Sequence, residues 1–327
     1  MARTYYAGID LGATHLRAAV ADGGGEILSL DRRETPHGPR GVDVTEAVLD
    51  SLRAACSDLG IGPREIAAAG MGSIGPLDLA AGSVVSTANL PEDVDVIPLR
   101  DPVSELIDSD RVWLHNDTTA GVIGERFYSD RNPDDMVYLT ISSGIGAGVA
   151  VDGNVLTGWD GNAGEAGHMT VDPDGFMTCG CGIDGHWEAY CSGNNIYRYA
   201  RRLHDEDPID TSLPMESPDL TSETIFEHAN EGDEFAVYVI DQVNQWNAIA
   251  FANMVHSFAP LVIYVGGAVA LNNPEWILDP VREELDDIVF GNVPDVQLTN
   301  LGDEVVVKGA LASAITDGTG DRSRAPT

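Results

Sequence analysis

The chain reads as an α/β protein of two domains, one α/β half used twice, with a metal knuckle set into the second half. Three observations predict this. Residues from Tyr5 onward follow the order strand, Gly turn, strand, Asp-Gly turn, and residues from Met136 onward follow it again. The 327 residues are enough for two domains. Three of the four cysteines and two of the eight histidines fall in one stretch, Asn162 to Ser192. An N-terminal domain is expected at 1–115 with 305–327, and a C-terminal domain with the metal loop at 116–304.

Between Tyr5 and Leu30, YYAGID, LRAAVA and EILSL are three strands. The first turn, Leu11 to His15, contains Gly12, and Asp22-Gly23-Gly24-Gly25 is a hairpin signal. Val44, Ala47, Val48, Leu52 and Ala55 recur at helical spacing, so Val42 to Leu59 is a helix ended by Gly60. Ile66 to Met71 is a buried strand, Gly72 to Pro76 a loop, Pro102 to Ile107 a short helix and Val112 to His115 a strand. A helix runs from Asn116-Asp117 to Tyr128. Met136 to Ser142 and Ala147 to Val151 are strands about the turn Ser143-Gly144-Ile145-Gly146, and Asp152-Gly153 closes a hairpin. Two such halves facing each other would set their Gly turns on opposite sides of one ligand.

Past the knuckle, Asn194 to Leu203 is helical, and the acidic, Pro-bearing Asp205 to Ser222 is a loop. Val239, Val243, Trp246, Ala250 and Met254 stripe a long helix. Leu261 to Val265 is a buried strand leading to Gly266-Gly267. Val305 to Val307 is expected as a strand, Gly309 to Ile315 as a helix, and the tail after Asp317 as disordered.

The knuckle carries His168, Cys179, Cys181 and His186, a donor set that suits tetrahedral zinc. Gly180, Gly182 and Gly185 let the loop fold tightly around an ion. Four protein ligands leave no open position, so the metal would be structural. Glu165 and Glu188 flank it, and two carboxylates with an imidazole are good groups for gripping several hydroxyls. Cys56 stands alone in the first helix and reads as a small buried hydrophobe.

The net charge is −35, with 53 acids and a single lysine, Lys308. Such a surface repels nucleic acid and anionic membranes. The acids are scattered along the chain rather than gathered in a tail, which fits adaptation to high salt, where counter-ions screen their repulsion. MARTYY runs straight into a strand pattern with no leader-like apolar segment, and no run is long and apolar enough to span a membrane. A reducing cytoplasm is the expected compartment, where clustered Cys and His bind metal rather than form disulfides.

Asp10-Leu11-Gly12-Ala13-Thr14 sits in a strand-turn-strand, where backbone N–H groups and the Thr14 hydroxyl can meet phosphate and Asp10 can hold magnesium through water. An ordinary hairpin turn is the alternative. Ser143-Gly144 offers similar donors, and Gly266-Gly267 follows a buried strand, a common setting for close approach to a nucleotide. Asp117, at a strand-to-helix junction, can take a proton from a hydroxyl attacking a γ-phosphate, with Asn116 on a neighbouring hydroxyl. An Asn-Asp helix cap explains the same two residues.

GIDLGATHLRAAV, GSIGPLD, ANLP, HNDTTAGVIGE, LTISSGIGAGVAVDG, GNAGEAGHMTV, CGCGIDGHWEAYCSG and VIYVGGAV together resemble the ROK family of sugar kinases, over nearly the whole chain. The resemblance implies the two-domain actin-like ATPase fold, a duplicated ribonuclease H-like architecture, and ATP with magnesium beside the structural zinc. It makes Asp117 the catalytic base and Asn89, Asn116, Asp117, Glu165, His168 and Glu188 sugar contacts. It gives Asp10, Gly12, Thr14, Ser143 and Gly144 to phosphate and magnesium, and Gly266 and Gly267 to the adenosine side. Ala13 and His15 stand where the family carries glycine and often lysine. His186 stands where it carries a third zinc cysteine, and Cys191, where it carries a small residue, is a reserve ligand.

The expected activity is phosphorylation of a hexose, glucose first, at its C6 hydroxyl by a homodimer or homotetramer. N-acetylmannosamine and N-acetylglucosamine kinases are the nearest alternatives, and a polyphosphate donor is disfavoured by the shortage of cations. A sugar-responsive regulator or binding protein is the alternative of a different class. Regulators of this kind carry a helix-turn-helix segment before the kinase fold, for which a first strand at Tyr5 leaves no room.

Overall fold

Alternation between the two faces of the first sheet decides how the N-terminal part of the chain packs. A computed structural model describes residues 3–38, 40–85 and 96–325. Its first elements are β1 (Tyr5–Leu11), β2 (His15–Ala21), β3 (Ile27–Glu34), α1 (Gly41–Asp58), β4 (Ile66–Ser73), β5 (Leu77–Asp78), β6 (Ser83–Val84), β7 (Ile97–Pro98), α2 (Arg100–Ile107), β8 (Val112–Asn116) and α3 (Asp117–Tyr128). The second series is β9 (Met136–Ile141), β10 (Ile145–Val151), β11 (Asn154–Val155), α4 (Glu188–Cys191), α5 (Ile196–Glu206), α6 (Ser222–Asn230), α7 (Glu234–Phe258), β12 (Val262–Gly266), α8 (Ala268–Asn272), α9 (Pro274–Ile288), β13 (Asp295–Leu298) and α10 (Val305–Ile315). Asn89 and the rest of ANLP lie outside the described residues.

The first sheet has the order β3-β2-β1-β4-β8 and the second β11-β10-β9-β12-β13, one pattern used twice. Strand β1 is antiparallel to β2 and parallel to β4, which is parallel to β8. Ala7, Ile9 and Leu11 of β1 and Ala69 and Met71 of β4 share a core with Val44, Val48 and Leu52 of α1. The alternate positions Gly8, Gly70 and Gly72 face α10. A methyl on Gly8 would stand 2.5 Å from Leu311 Cγ, and one on Gly72 2.5 Å from Val306 Cγ1. Bare backbone at these positions lets α10 lie against the sheet. On its other side α10 meets α3, where a methyl on Gly309 would run into the Ala120 carbonyl.

Packing divides the chain into one unit of Met1–Tyr138, Gly148–Gly164 and Asp303–Thr327 and a second of Leu139–Ala147 and Glu165–Gly302. The sequence expectation puts residues 116–164 in the second half. In the structure α3 goes with the first unit because α10 and β4 hold it there. Within the second unit α7 is the spine, packed by α4, α5, α6 and α9. Trp187 is fully buried against Phe251, its indole N–H donating to Asn247 Oδ1 at 2.9 Å.

Two expectations are corrected. Val305 to Val307 is the first turn of α10, not a strand. Three consecutive valines favour extended backbone locally, but burying Val305 and Val307 as part of one helix outweighs that preference. The residues after Asp317 are ordered through Ala325: Arg126 donates to the Thr319 carbonyl at 3.0 Å, and Asp321 accepts from Asn132 and the Ser323 N–H. The small sheet β5–β7 and the elements α6, α9 and β13 had no counterpart in the sequence expectation.

His115, near the end of β8, is buried with its Nε2 2.8 Å from Ser313 Oγ on α10. Burial pushes its pKa down to about 4 from an ordinary 6.5. The unfolded chain therefore takes up a proton near pH 6.5 and the folded chain only near 4. The stabilisation is present above pH 6.5 and lost as pH falls through that window, by about 3 kcal/mol. His115→Gln should lose less stability than the wild type between pH 7 and 4.5 in urea melts. Equal losses would contradict the assignment.

Candidate functional site

In the first unit, the carboxyl ends of three parallel strands bring the expected phosphate and catalytic groups side by side. The register sets Asp10 opposite Gly72, and Ser73 opposite Asn116. Ligands of open α/β sheets gather at this edge. Asp10 is buried and accepts from Arg17 Nε at 3.0 Å. Lost hydration raises its pKa to about 6; Arg17 lowers it and Asp117 raises it, so the two acids feel each other. Gly12 and Thr14 form the β1–β2 turn: the Gly12 N–H donates to the His15 carbonyl at 2.9 Å, and the Thr35 N–H to the Thr14 carbonyl at 2.9 Å.

Asp117 opens α3 and is exposed. Its Oδ1 accepts from the Thr118 N–H at 2.7 Å, and Asn116 Oδ1 caps the helix from the Thr119 N–H at 2.7 Å. The cap and the catalytic assignment are thus compatible. The cap uses the Asn116 oxygen, leaving the carboxamide nitrogen as the group for a hydroxyl. The helix N-terminus favours a negative Asp117.

In the second unit, the turn between β9 and β10 and the start of α4 meet. The Ile145 N–H donates to Glu188 Oε2 at 2.9 Å. Ser143 is exposed at the tip of this turn. Glu165 precedes a single turn of 3-10 helix, Ala166–His168. Lost hydration raises the Glu165 carboxyl, His168 pulls it down and Glu188 pushes it up, which places these three residues within one electrostatic neighbourhood. Gly266 ends β12 and Gly267 follows with φ +87°, its Cα against the Ile141 carbonyl, so the fold itself requires glycine at 267.

The four expected metal donors converge. Ligand atoms of His168, Cys179, Cys181 and His186 all lie within 4.8 Å of one another. Cys179 Sγ is 3.8 Å from His168 Nδ1 and Cys181 Sγ 3.3 Å from His186 Nδ1. A tetrahedral zinc with Zn–S of about 2.3 Å and Zn–N of about 2.05 Å needs sulfur–nitrogen separations of roughly 3.6 Å. The donor types and spacing therefore fit zinc. Cys191 lies elsewhere, wholly buried with its thiol donating to the Val243 carbonyl of α7.

Residues that sequence reasoning missed hold these groups in place. Arg17 faces Asp10 across the β1–β2 hairpin, a pairing the hairpin register would have given. Asp172 accepts from the Asp174 and Phe176 N–H groups and from the Tyr190 hydroxyl, which itself accepts from the Met177 N–H at 2.8 Å. This network fastens the knuckle to the helix that bears Glu188.

A profile of the ROK family matches residues 6–316. A glucokinase from Pyrobaculum calidifontis is 34% identical over 309 residues, 94% of either chain. The crystal structure of a ROK hexokinase from Thermus thermophilus superposes with a TM-score of 0.79 at 32% identity, over 95% of this chain and 97% of that one. A ROK family glucokinase from Streptomyces griseus, in complex with glucose and AMPPNP, superposes with a TM-score of 0.73 at 29% identity, over 95% of this chain and 99% of that one.

Proposed function

Because the chain belongs to the ROK family, we propose that it is an ATP-dependent glucokinase, which moves the γ-phosphoryl group of ATP to the C6 hydroxyl of glucose. Full-length similarity to glucokinases is the observation that carries this reading. Asp117 takes the proton of the attacking hydroxyl. Asn89, Asn116, Glu165, His168 and Glu188 orient the sugar. Asp10, Gly12, Thr14 and Ser143 serve the phosphates, and Gly266 and Gly267 the adenosine side. Magnesium, held through Asp10, neutralises phosphate charge when bound. Zinc held by His168, Cys179, Cys181 and His186 supplies rigidity to the loop of Glu165 and the start of α4.

No described helix is long and apolar enough to cross a membrane. The charge of −35 supports a protein at work in concentrated salt. A screen of glucose, mannose, fructose, N-acetylglucosamine and N-acetylmannosamine with ATP, at low and at molar potassium chloride, tests both points. Glucose should give the highest kcat/KM, and turnover should rise with salt. Preference for an acetamido sugar would overturn the glucokinase reading, and inhibition by salt would overturn the halophilic one.

A further inference from the structure

Gly144 lies outside the left-handed backbone region, so its conformation does not demand glycine. Contact does. A methyl built there would stand 2.7 Å from Glu188 Oε2 and 3.5 Å from its Cδ, with no other atom of a non-neighbouring residue within 4 Å. The next residue supplies the hydrogen bond: the Ile145 N–H meets the same Oε2 at 2.9 Å. The same turn is stitched to the segment after α4. The Gly193 N–H donates to the Ser142 carbonyl at 2.7 Å, and the Asn194 N–H to the Ser143 carbonyl at 3.2 Å. On its other flank the Ile145 carbonyl packs on the Cα of Gly167, between Glu165 and His168. Four consecutive residues, Ser142 to Ile145, thus touch both protein segments that carry the sugar carboxylates.

We infer that Gly144 is a positioning residue for Glu188: it is glycine so that the carboxylate can seat against the turn and take the Ile145 N–H, rather than to admit a phosphate. The inference rests on the kinase reading in naming Glu188 a sugar contact. A carboxylate on a long side chain has several rotamers, and a backbone donor at its tip selects one. With that donor fixed by two strands, Oε2 is engaged and Oε1 is presented to a hydroxyl. An added methyl displaces the tip of a flexible side chain, not backbone, so the fold survives while the carboxylate swings away.

The test is glucose binding by calorimetry, without nucleotide, in the wild type, Gly144→Ala, Glu188→Asp and the double variant. Losing one well-placed charge-assisted hydrogen bond should raise the glucose Kd of Gly144→Ala about 10–100-fold. AMPPNP with magnesium should bind as to the wild type. In the Glu188→Asp background, whose carboxylate stops one methylene short, the same methyl should change glucose Kd by less than about threefold, the mark of two residues acting through one contact. Unchanged glucose binding in Gly144→Ala, or weakening of AMPPNP instead, overturns the assignment. If Gly144→Ala fails to fold, restoration by Glu188→Asp supports it and absence of restoration overturns it. A wild type that binds no hexose overturns the kinase reading together with this one, whereas hexose binding indifferent to Gly144→Ala overturns this one alone.

Discussion

Asp117→Asn should lower kcat by about 10²–10⁴-fold while leaving glucose affinity nearly unchanged. The substitution keeps shape and removes basicity. Asp117 Oδ1 already accepts from the Thr118 N–H, and an asparagine oxygen accepts from it equally. The helix cap belongs to Asn116, so α3 keeps its start. What would be lost, on the proposed mechanism, is the lone pair that receives the C6 proton, together with the negative charge beside Asp10. Loss of that charge removes a push on Asp10, whose pKa should move down towards the ordinary carboxylate range. Binding would be read by calorimetry and turnover by a coupled assay at saturating ATP and glucose. Turnover within a factor of about five of wild type would remove Asp117 from the role of base.

Metal analysis of the purified chain should find one zinc, and X-ray absorption should find two sulfur and two nitrogen neighbours. His186→Ala removes one of four donors, and zinc affinity should fall by at least about 10²-fold. Because His186 pairs with Cys181 at 3.3 Å and Cys179 with His168 at 3.8 Å, loss of either pair opens the shell. Sugar binding should weaken by about 10–100-fold, since on the proposed reading the metal would hold the His168 ring while its other nitrogen met a sugar hydroxyl. The Tyr190–Asp172 network ties the knuckle down from the other side, so collapse of the whole unit is not expected. Three sulfurs around the metal, or a wild-type chain without zinc, would contradict the ligand set.

Local periodicity made the frame legible. Strands β1, β2, β4 and β9 alternate or run apolar between glycine turns, and the repeat at Met136 foretold two sheets of one order. The Cys-Gly-Cys and its two histidines were legible as a donor cluster because glycine turns fold this segment back on itself, and the structure brings all four ligand atoms within 4.8 Å of one another. Val305 to Val307 misled because β-branched residues carry an extended preference that only the sheet beneath α10 overrides. The small sheet β5–β7 went unseen because two-residue strands leave no periodicity to read. The contact between Gly144 and Glu188 was hidden because the two are 44 residues apart, and no spacing rule spans that distance. The grip of Asp172 on Tyr190 was hidden for the same reason.

Helix α10 lies across β1 and β4 and locks onto α3, yet it comes more than 160 residues after the last of these three elements. On the ribosome, the first sheet and the helix that starts with Asp117 emerge long before the element that covers them. At about 5–20 residues per second, that interval lasts roughly 10–30 s. Through it the sheet face that carries Gly8, Gly70 and Gly72 waits without the helix that covers it in the folded chain, so this unit completes its packing only when α10 emerges.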